Sequence, residues 1–216
     1  MKLAIRFYFF TVLISFNPLL AFSYDVVVDG IYYNLQETTA EVTYYTNKGG
    51  GNKSIYFGVI TIPESIVNNG TTYRVTSIGY DAFYGSYLTG IVIPSTVINI
   101  GSDAFKNCTN LSSISLLSKN VTSFGRNVMS GTEWLNNQPD GLIYIGNIVY
   151  GYKGLILEEQ CIEIKEGTIC IAGGAFSNCK NIVSVKIPNS VIAINEYAFA
   201  DCHDLGKHFS PVLSLM

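Results

Sequence analysis

Cysteine and histidine are the residues of this chain best suited to nucleophilic, redox or metal chemistry, and their spacing points away from all three. Cys108, Cys179 and Cys202 each stand three residues after a phenylalanine: Phe105, Phe176 and Phe199. A thiol that returns at one fixed offset marks a repeated structural position, where a small group fits a turn. Neighbouring coils of a repeat lie ~4.8 Å apart, which brings Cys179 and Cys202 within disulfide reach on Cα separation. Parallel side chains do not readily give the required dihedral, so a free pair is expected. Cys161 and Cys170 lie nine apart, and the C-x-x-C pairs of a four-ligand zinc site are missing. His203 beside Cys202 stands alone, so no metal is expected. A thiol protease would have to take its base from His203 or His208, both near the C-terminus. Gly49-Gly50-Gly51 lacks the Lys-Ser/Thr that a phosphate-binding loop needs. No nucleophile motif appears, and Asp and Glu fall at turns and exposed strand positions. We therefore expect no catalytic residue, no cofactor and no enzyme.

The aromatics are the remaining candidates. Trp134, the one tryptophan, precedes Leu142–Tyr150, which reads as a hairpin around Gly146-Asn147 with Tyr144, Tyr150 and Tyr152 alternating. Tyr and Trp are enriched at binding hot spots, so one reading is a recognition patch. The reading preferred here is an insertion packed on the flank of the main fold, with Trp134 in the core.

What positions these residues is a repeat. Leu88–Phe105 reads LTGIVIPSTVINIGSDAF, and Ile187–Phe199 reads IPNSVIAINEYAF. Ile62-Pro63 followed later by Val75–Phe83 is the same phrase with an insertion, and Ile164–Phe176 and Ile114–Met129 are worn copies. The closing Phe falls at 83, 105, 176 and 199, giving spacings of 22 and 23 residues. Self-similarity at 20–29 residues is the mark of a leucine-rich-repeat solenoid. In Leu88-x-x-Ile91-x-Ile93 and Ile182-x-x-Val185-x-Ile187, alternate residues point one way, as in a strand. Pro94 or Pro188 ends the strand because it has no N–H to give. Val97-x-x-Ile100 and Ala104-Phe105 then turn apolar groups inward at a spacing that suits a short helix or tight turns. Residues between the inward ones face solvent: Thr61, Val92, Ser115, Glu163 and Lys186.

The phrase Cys-x-x-Leu-x-x-Ile-x-Ile-Pro-x-x-Val-x-x-Ile-x-x-x-Ala-Phe resembles the BspA-type leucine-rich repeat of secreted bacterial proteins. Here it is carried by Cys179, Ile182, Val185, Ile187, Pro188, Val191, Ile194, Ala198 and Phe199. The resemblance covers about residues 60–205 and implies a right-handed solenoid with one strand per coil. It also implies protein binding or adhesion without catalysis, and it names no partner.

Composition agrees with a folded, exported chain. The 216 residues carry net charge −3, 13% charged residues, 15 Tyr and 12 Phe. That excludes disorder, and no basic stripe exists to neutralise nucleic-acid phosphates. Lys2 and Arg6 precede an apolar run over Phe7–Phe16, and Ala21-Phe22-Ser23 offers a cleavage site. This reads as a signal peptide over 1–23, the run being too short to span a bilayer. Asp29-Gly30 between two β-rich runs reads as a hairpin. The expected plan is therefore β-rich: an N-terminal β-cap over 24–57 and a solenoid over 58–205 with a hairpin insertion at about 132–160. A tail over 206–216 lacks an Ile-x-Ile-Pro strand and is an improvised cap, or else leaves an open edge for self-association. The expected role is protein binding or adhesion as a secreted or cell-surface protein, with a host or bacterial surface protein as partner. A self-associating surface component and a carbohydrate-binding module are the alternatives.

Overall fold

The computed structural model describes residues 24–45 and 56–206. The leader read over 1–23, the Gly-rich loop, His208 and residues 207–216 of the tail lie outside the described residues.

The protein is mainly β. In chain order the strands are β1 (Val26–Val28), β2 (Ile31–Gln36), β3 (Thr39–Thr43), β4 (Phe57–Thr61), β5 (Ser65–Asn68), β6 (Thr71–Ile78), β7 (Tyr87–Ile93) and β8 (Asn99–Ile100). They continue as β9 (Ser113–Leu116), β10 (Ser123–Phe124), β11 (Gly141–Ile145), β12 (Ile148–Lys153), β13 (Gln160–Glu163), β14 (Cys170–Ile171), β15 (Ile182–Lys186) and β16 (Ala193–Ile194). One short helix, α1 (Glu133–Asn136), is capped by the Thr132 hydroxyl, which accepts from Leu135 N.

At the N-terminus, β1 and β2 pair antiparallel across Asp29-Gly30, whose φ values of 50° and 79° suit those residue types. The β3 strand then runs parallel to β6. The Ile-x-Ile-Pro strands form parallel ladders, β4–β7–β9 and β13–β15. Resemblance implied one strand per coil, but each coil contributes a second. Residues just before the Asp-Ala-Phe turn pair in parallel as β6–β8–β10 and β12–β14–β16. Their amides find the carbonyls of the previous coil, so the short stretch expected as helix or turns extends the sheet. The insertion in the first copy also proves ordered: β5 and β6 form an antiparallel hairpin around Asn69-Gly70.

Two left-handed residues per coil make the closing turn. They stand two before and two after the Phe position: Asp81 and Gly85, Asp103 and Asn107, Asn127 and Gly131, Gly174 and Asn178, Tyr197 and Asp201. Neighbouring residues of opposite hand aim their N–H groups the same way. Here the amides of Asp81, Phe83 and Gly85 donate to the carbonyls of Ser102, Ala104 and Lys106 in the next coil, at 2.8–3.2 Å. The next turn repeats this, with Asp103, Phe105 and Asn107 donating to Arg126, Val128 and Ser130. Gly, Asn and Asp tolerate the left-handed region, which is why they recur there. Coil spacing leaves no room for a side chain after the second ladder. A Cβ on Gly125 would stand 2.3 Å from Ser102 N, and one on Gly101 would stand 2.6 Å from Tyr80 N.

The Phe side chains stack behind these turns. Phe83 and Phe105 lie 5.1 Å apart at 11°, and Phe176 and Phe199 lie 5.1 Å apart at 3°. Tyr56 covers Phe83 at 4.7 Å, and its hydroxyl accepts from Tyr32 N and donates to Thr43 O. Phe83, Phe105, Met129 and Phe176 are fully buried, while Phe199, in the last coil, is half-buried. The thiol positions form a parallel column with hydroxyls in other coils: Ser86, Cys108, Thr132, Cys179 and Cys202. Cys108 and Cys202 donate to the carbonyls of Phe83 and Phe176, at 2.9 and 3.0 Å, and all five thiols are unbridged. Burial pushes the Cys170 thiol up to about 11.

Three expected outcomes follow. Phe105→Ala costs about 3–5 kcal/mol by chemical denaturation, the range for emptying a buried aromatic site. Of the residues in these closing turns, Tyr197 is the one with a bulky side chain at a left-handed position (φ 58°). Tyr197→Asn therefore raises stability by about 1 kcal/mol, by relieving backbone strain. The folded state holds the Cys170 proton more tightly than the unfolded chain, so this stabilisation is complete below about 9 and is lost as pH rises towards about 11. Denaturation midpoints measured across that range fall less in Cys170→Ser than in the parent.

Candidate functional site

The outward faces of the Ile-x-Ile-Pro ladders are the surfaces the repeat exposes most regularly. Strand alternation aims every second side chain away from the core. In the first ladder Thr61 lies beside Val92, and Val92 beside Ser115. Thr61 and Ser115 are exposed, whereas Val92 is half-buried. One step back along the strands, Val59 lies beside Gly90 and Gly90 beside Ser113. At the far end Phe57 pairs with Tyr87, their rings stacked at 5.3 Å and 9°. Phe57, Val59 and Tyr87 are each more than half exposed. Gly90 keeps this part of the face low: a Cβ would stand 2.6 Å from Ser113 Oγ, which would have to turn aside. The face is uncharged, an aromatic pair at one end grading into Thr and Ser hydroxyls at the other.

Glu163 and Lys186 belong to a different ladder. They sit side by side in β13 and β15 and form an ion pair at 2.6 Å, with both side chains largely exposed. The Glu163 carboxylate raises the Lys186 pKa by hydrogen bond and charge. An exposed pair of this kind contributes little to stability. No pairing joins β9 to β13, so the structure brings together Thr61, Val92 and Ser115, and separately Glu163 with Lys186, but not the two sets. Sequence reasoning missed Phe57, Val59 and Tyr87. The signal was present, since Phe57, Val59 and Thr61 keep the same alternation.

The insertion explains the break. The β11 and β12 strands pair antiparallel across Gly146-Asn147, and Ile148-Val149 of β12 joins Cys170-Ile171 of β14 in parallel. The expected flank insertion thus supplies a strand to the second ladder. Trp134 and Tyr150 meet edge-to-face at 6.4 Å, and both pack partly buried against the core. The aromatics around Trp134 are therefore spent on packing. A cleft of about 340 Å³ beside them is lined by Asn127, Leu135, Tyr150, Lys153, Gly174 and Cys179. Lys153 Nζ donates to the carbonyls of Asn136 and Gln138, which close α1, so that amine holds the helix end in place. Among the described residues, no three His, Cys, Asp or Glu side chains converge on a metal-sized site, and no helix is long and apolar enough to cross a membrane.

Comparisons with known proteins fit this geometry. Residues 143–211 match a BspA type leucine rich repeat region in 6 copies. A leucine-rich repeat protein from Bacteroides ovatus ATCC 8483 is similar at 31% identity and TM-score 0.51, over 84% of this chain and 46% of that one. A leucine rich cell surface protein from Faecalibacterium prausnitzii A2-165 aligns at 22% identity and TM-score 0.47, over 83% and 52%. A T. pallidum leucine rich repeat protein aligns at 25% and 0.45, over 81% and 66%. The chain thus spans about half the length of the first two. No curated protein matches it. With the repeat phrase, the parallel ladders and the matched region in agreement, residues 143–211 are a BspA-type leucine-rich repeat region.

Proposed function

We propose that this protein is an exported, non-catalytic binding module whose coils form a right-handed solenoid, with residues 24–57 as its N-terminal cap and the segment at about 132–160 as an inserted hairpin. It acts at the cell surface or after secretion, and it engages a protein partner through the outward face of β4–β7–β9.

One observation carries this reading. Phe57, Val59 and Tyr87 stand exposed on regular, rigid strands, next to the Thr61–Val92–Ser115 row. Exposed aromatics held by a scaffold, with small polar groups around them, have the composition of an interface centre and rim. Apolar side chains scattered singly would need no explanation; here three share one face. The uncharged character of this face suits a partner recognised by shape and apolar contact. Glu163 and Lys186 form a second, charged patch of the same surface type, which sets orientation more than affinity. The matched repeat region supports protein binding in general, and the unbridged Cys179 and Cys202 need no chemical role.

The test is direct. The chain starting at Tyr24 is immobilised and used to capture proteins from host and bacterial surface extracts, and the captured partner is titrated against variants. Thr61→Arg and Ser115→Arg, which add charge to the face at exposed positions, weaken binding at least ~10-fold, about 1.4 kcal/mol. Unchanged affinity in both variants places the contact elsewhere.

A further inference from the structure

The seam between the two halves opens hydrogen-bond rungs that are closed elsewhere in the stack. Two residues before the Phe position, the amides of Asp81, Asp103 and Gly174 donate to the carbonyls of Ser102, Arg126 and Glu196 in the next coil, at 2.9–3.2 Å. Asn127 holds the same position, before Met129, and the same left-handed conformation in the coil that ends at the seam. By this equivalence its amide faces Gly173 O in the coil beyond. Among the described residues Asn127 N has no acceptor and Gly173 O has no donor. Two residues after the Phe position, Gly85, Asn107 and Asn178 donate to Lys106, Ser130 and Ala200, whereas Gly131 N and Ser177 O again make no bond among the described residues.

The β12 strand holds these rungs open. At the Phe position itself, Met129 N is met by the Tyr150 hydroxyl and Ala175 O by Tyr152 N, each at 3.2 Å. Both partners come from one inserted stretch, so the two rows stand a chain's thickness apart. The wedge leaves the cleft of about 340 Å³, which Asn127, Gly173 and Ser177 line together with Leu135, Ile143 and Tyr150. That volume lies within the range of ligand pockets. Its lining holds no acidic residue, and the Lys153 ammonium is spent on the carbonyls that close α1. Burial pushes the Tyr150 hydroxyl up to about 12, so that group is neutral too. The cleft therefore selects by hydrogen bonding and not by charge. A ligand that closes such a rung accepts from an N–H on one side and donates to a C=O on the other. A trans peptide group does both, from opposite edges. An anion lacks the donor, and a cation lacks the acceptor.

We propose that the seam cleft is a binding site for an exposed peptide segment of a partner protein, one of whose peptide groups accepts from Asn127 N and donates to Gly173 O, with a small side chain against Leu135, Ile143 and Tyr150. Main-chain pairing of this kind is how extended peptides add to open sheet edges. The site is separate from the β4–β7–β9 face, so either can fail without the other.

Amide hydrogen exchange followed by NMR, on the chain starting at Tyr24, is the test. Without ligand, the Asn127 amide exchanges at least ~10-fold faster than those of Asp103 and Gly174. Capped trialanine (acetyl-Ala-Ala-Ala-amide) at ~10 mM, a concentration that fills a site of millimolar Kd, slows Asn127 at least ~5-fold and leaves Asp103 unchanged. The same peptide with every amide N-methylated keeps its carbonyls but cannot donate to Gly173 O, and it leaves Asn127 unchanged. The proposal is overturned if Asn127 is already protected in the free chain, if capped trialanine does not slow it, or if the N-methylated peptide slows it equally. Resonance shifts confined to Thr61 and Ser115 overturn it too, and assign the peptide to the outer face.

Discussion

The stacked parts of this fold answer to one requirement: within each half, a turn must send its amides along the stacking direction, to carbonyls of the next coil. Three such bonds leave the turn around Phe83 and three leave the turn around Phe105. An unpaired amide in that interior would cost about 1–3 kcal/mol, more than a made bond contributes. The bonds can form only if the chain reverses hand twice within the turn, so the identities at Asp81, Gly85, Asp103, Asn107, Asn127 and Gly131 are set by backbone conformation. Once the amides are aligned, consecutive Phe rings are carried into contact with no further choice. The hydrophobic stack supplies most of the free energy, and the turns decide where that stack lies.

Repetition also shapes the surface. Because one ladder row is copied from coil to coil, any exposed alternation becomes a ribbon several strands wide. The insertion cuts this ribbon. On one side of the cut the face is aromatic and hydroxylic, Phe57 and Tyr87 grading into Thr61 and Ser115; on the other it carries the Glu163–Lys186 pair. A single repeated face thus becomes two patches of different chemistry, each held by its own ladder.

Much of this was legible in the residues. The Phe spacing, the proline ends and the alternation of Leu88-x-x-Ile91-x-Ile93 encode a period directly, because each reports burial of an apolar group at a fixed place. The second ladder was not legible. Asn99-Ile100 and Ala193-Ile194 are two-residue strands, too short for alternation to register. Nor was the role of β12 in that ladder, since its pairing with Cys170-Ile171 depends on where the hairpin folds back and not on its own pattern. The exposed row was read one ladder too long for the same reason. Phe57 and Val59 were missed because apolar residues on a strand are assigned inward by default, and only the register with Tyr87 and Gly90 shows which face they take.

The join between the two halves has a mechanical meaning. Within each half, coils are zipped by continuous backbone ladders. Across the join, among the described residues, Gly173 N–Phe124 O is backbone, and the rest is side-chain contact: Asn147 to Lys119 O, Asn195 to Thr122 O, and Tyr150 to Met129 N. Tension drawn along the stacking axis would concentrate at this seam. The halves would part there while each, the hairpin included in the second, kept its own strands.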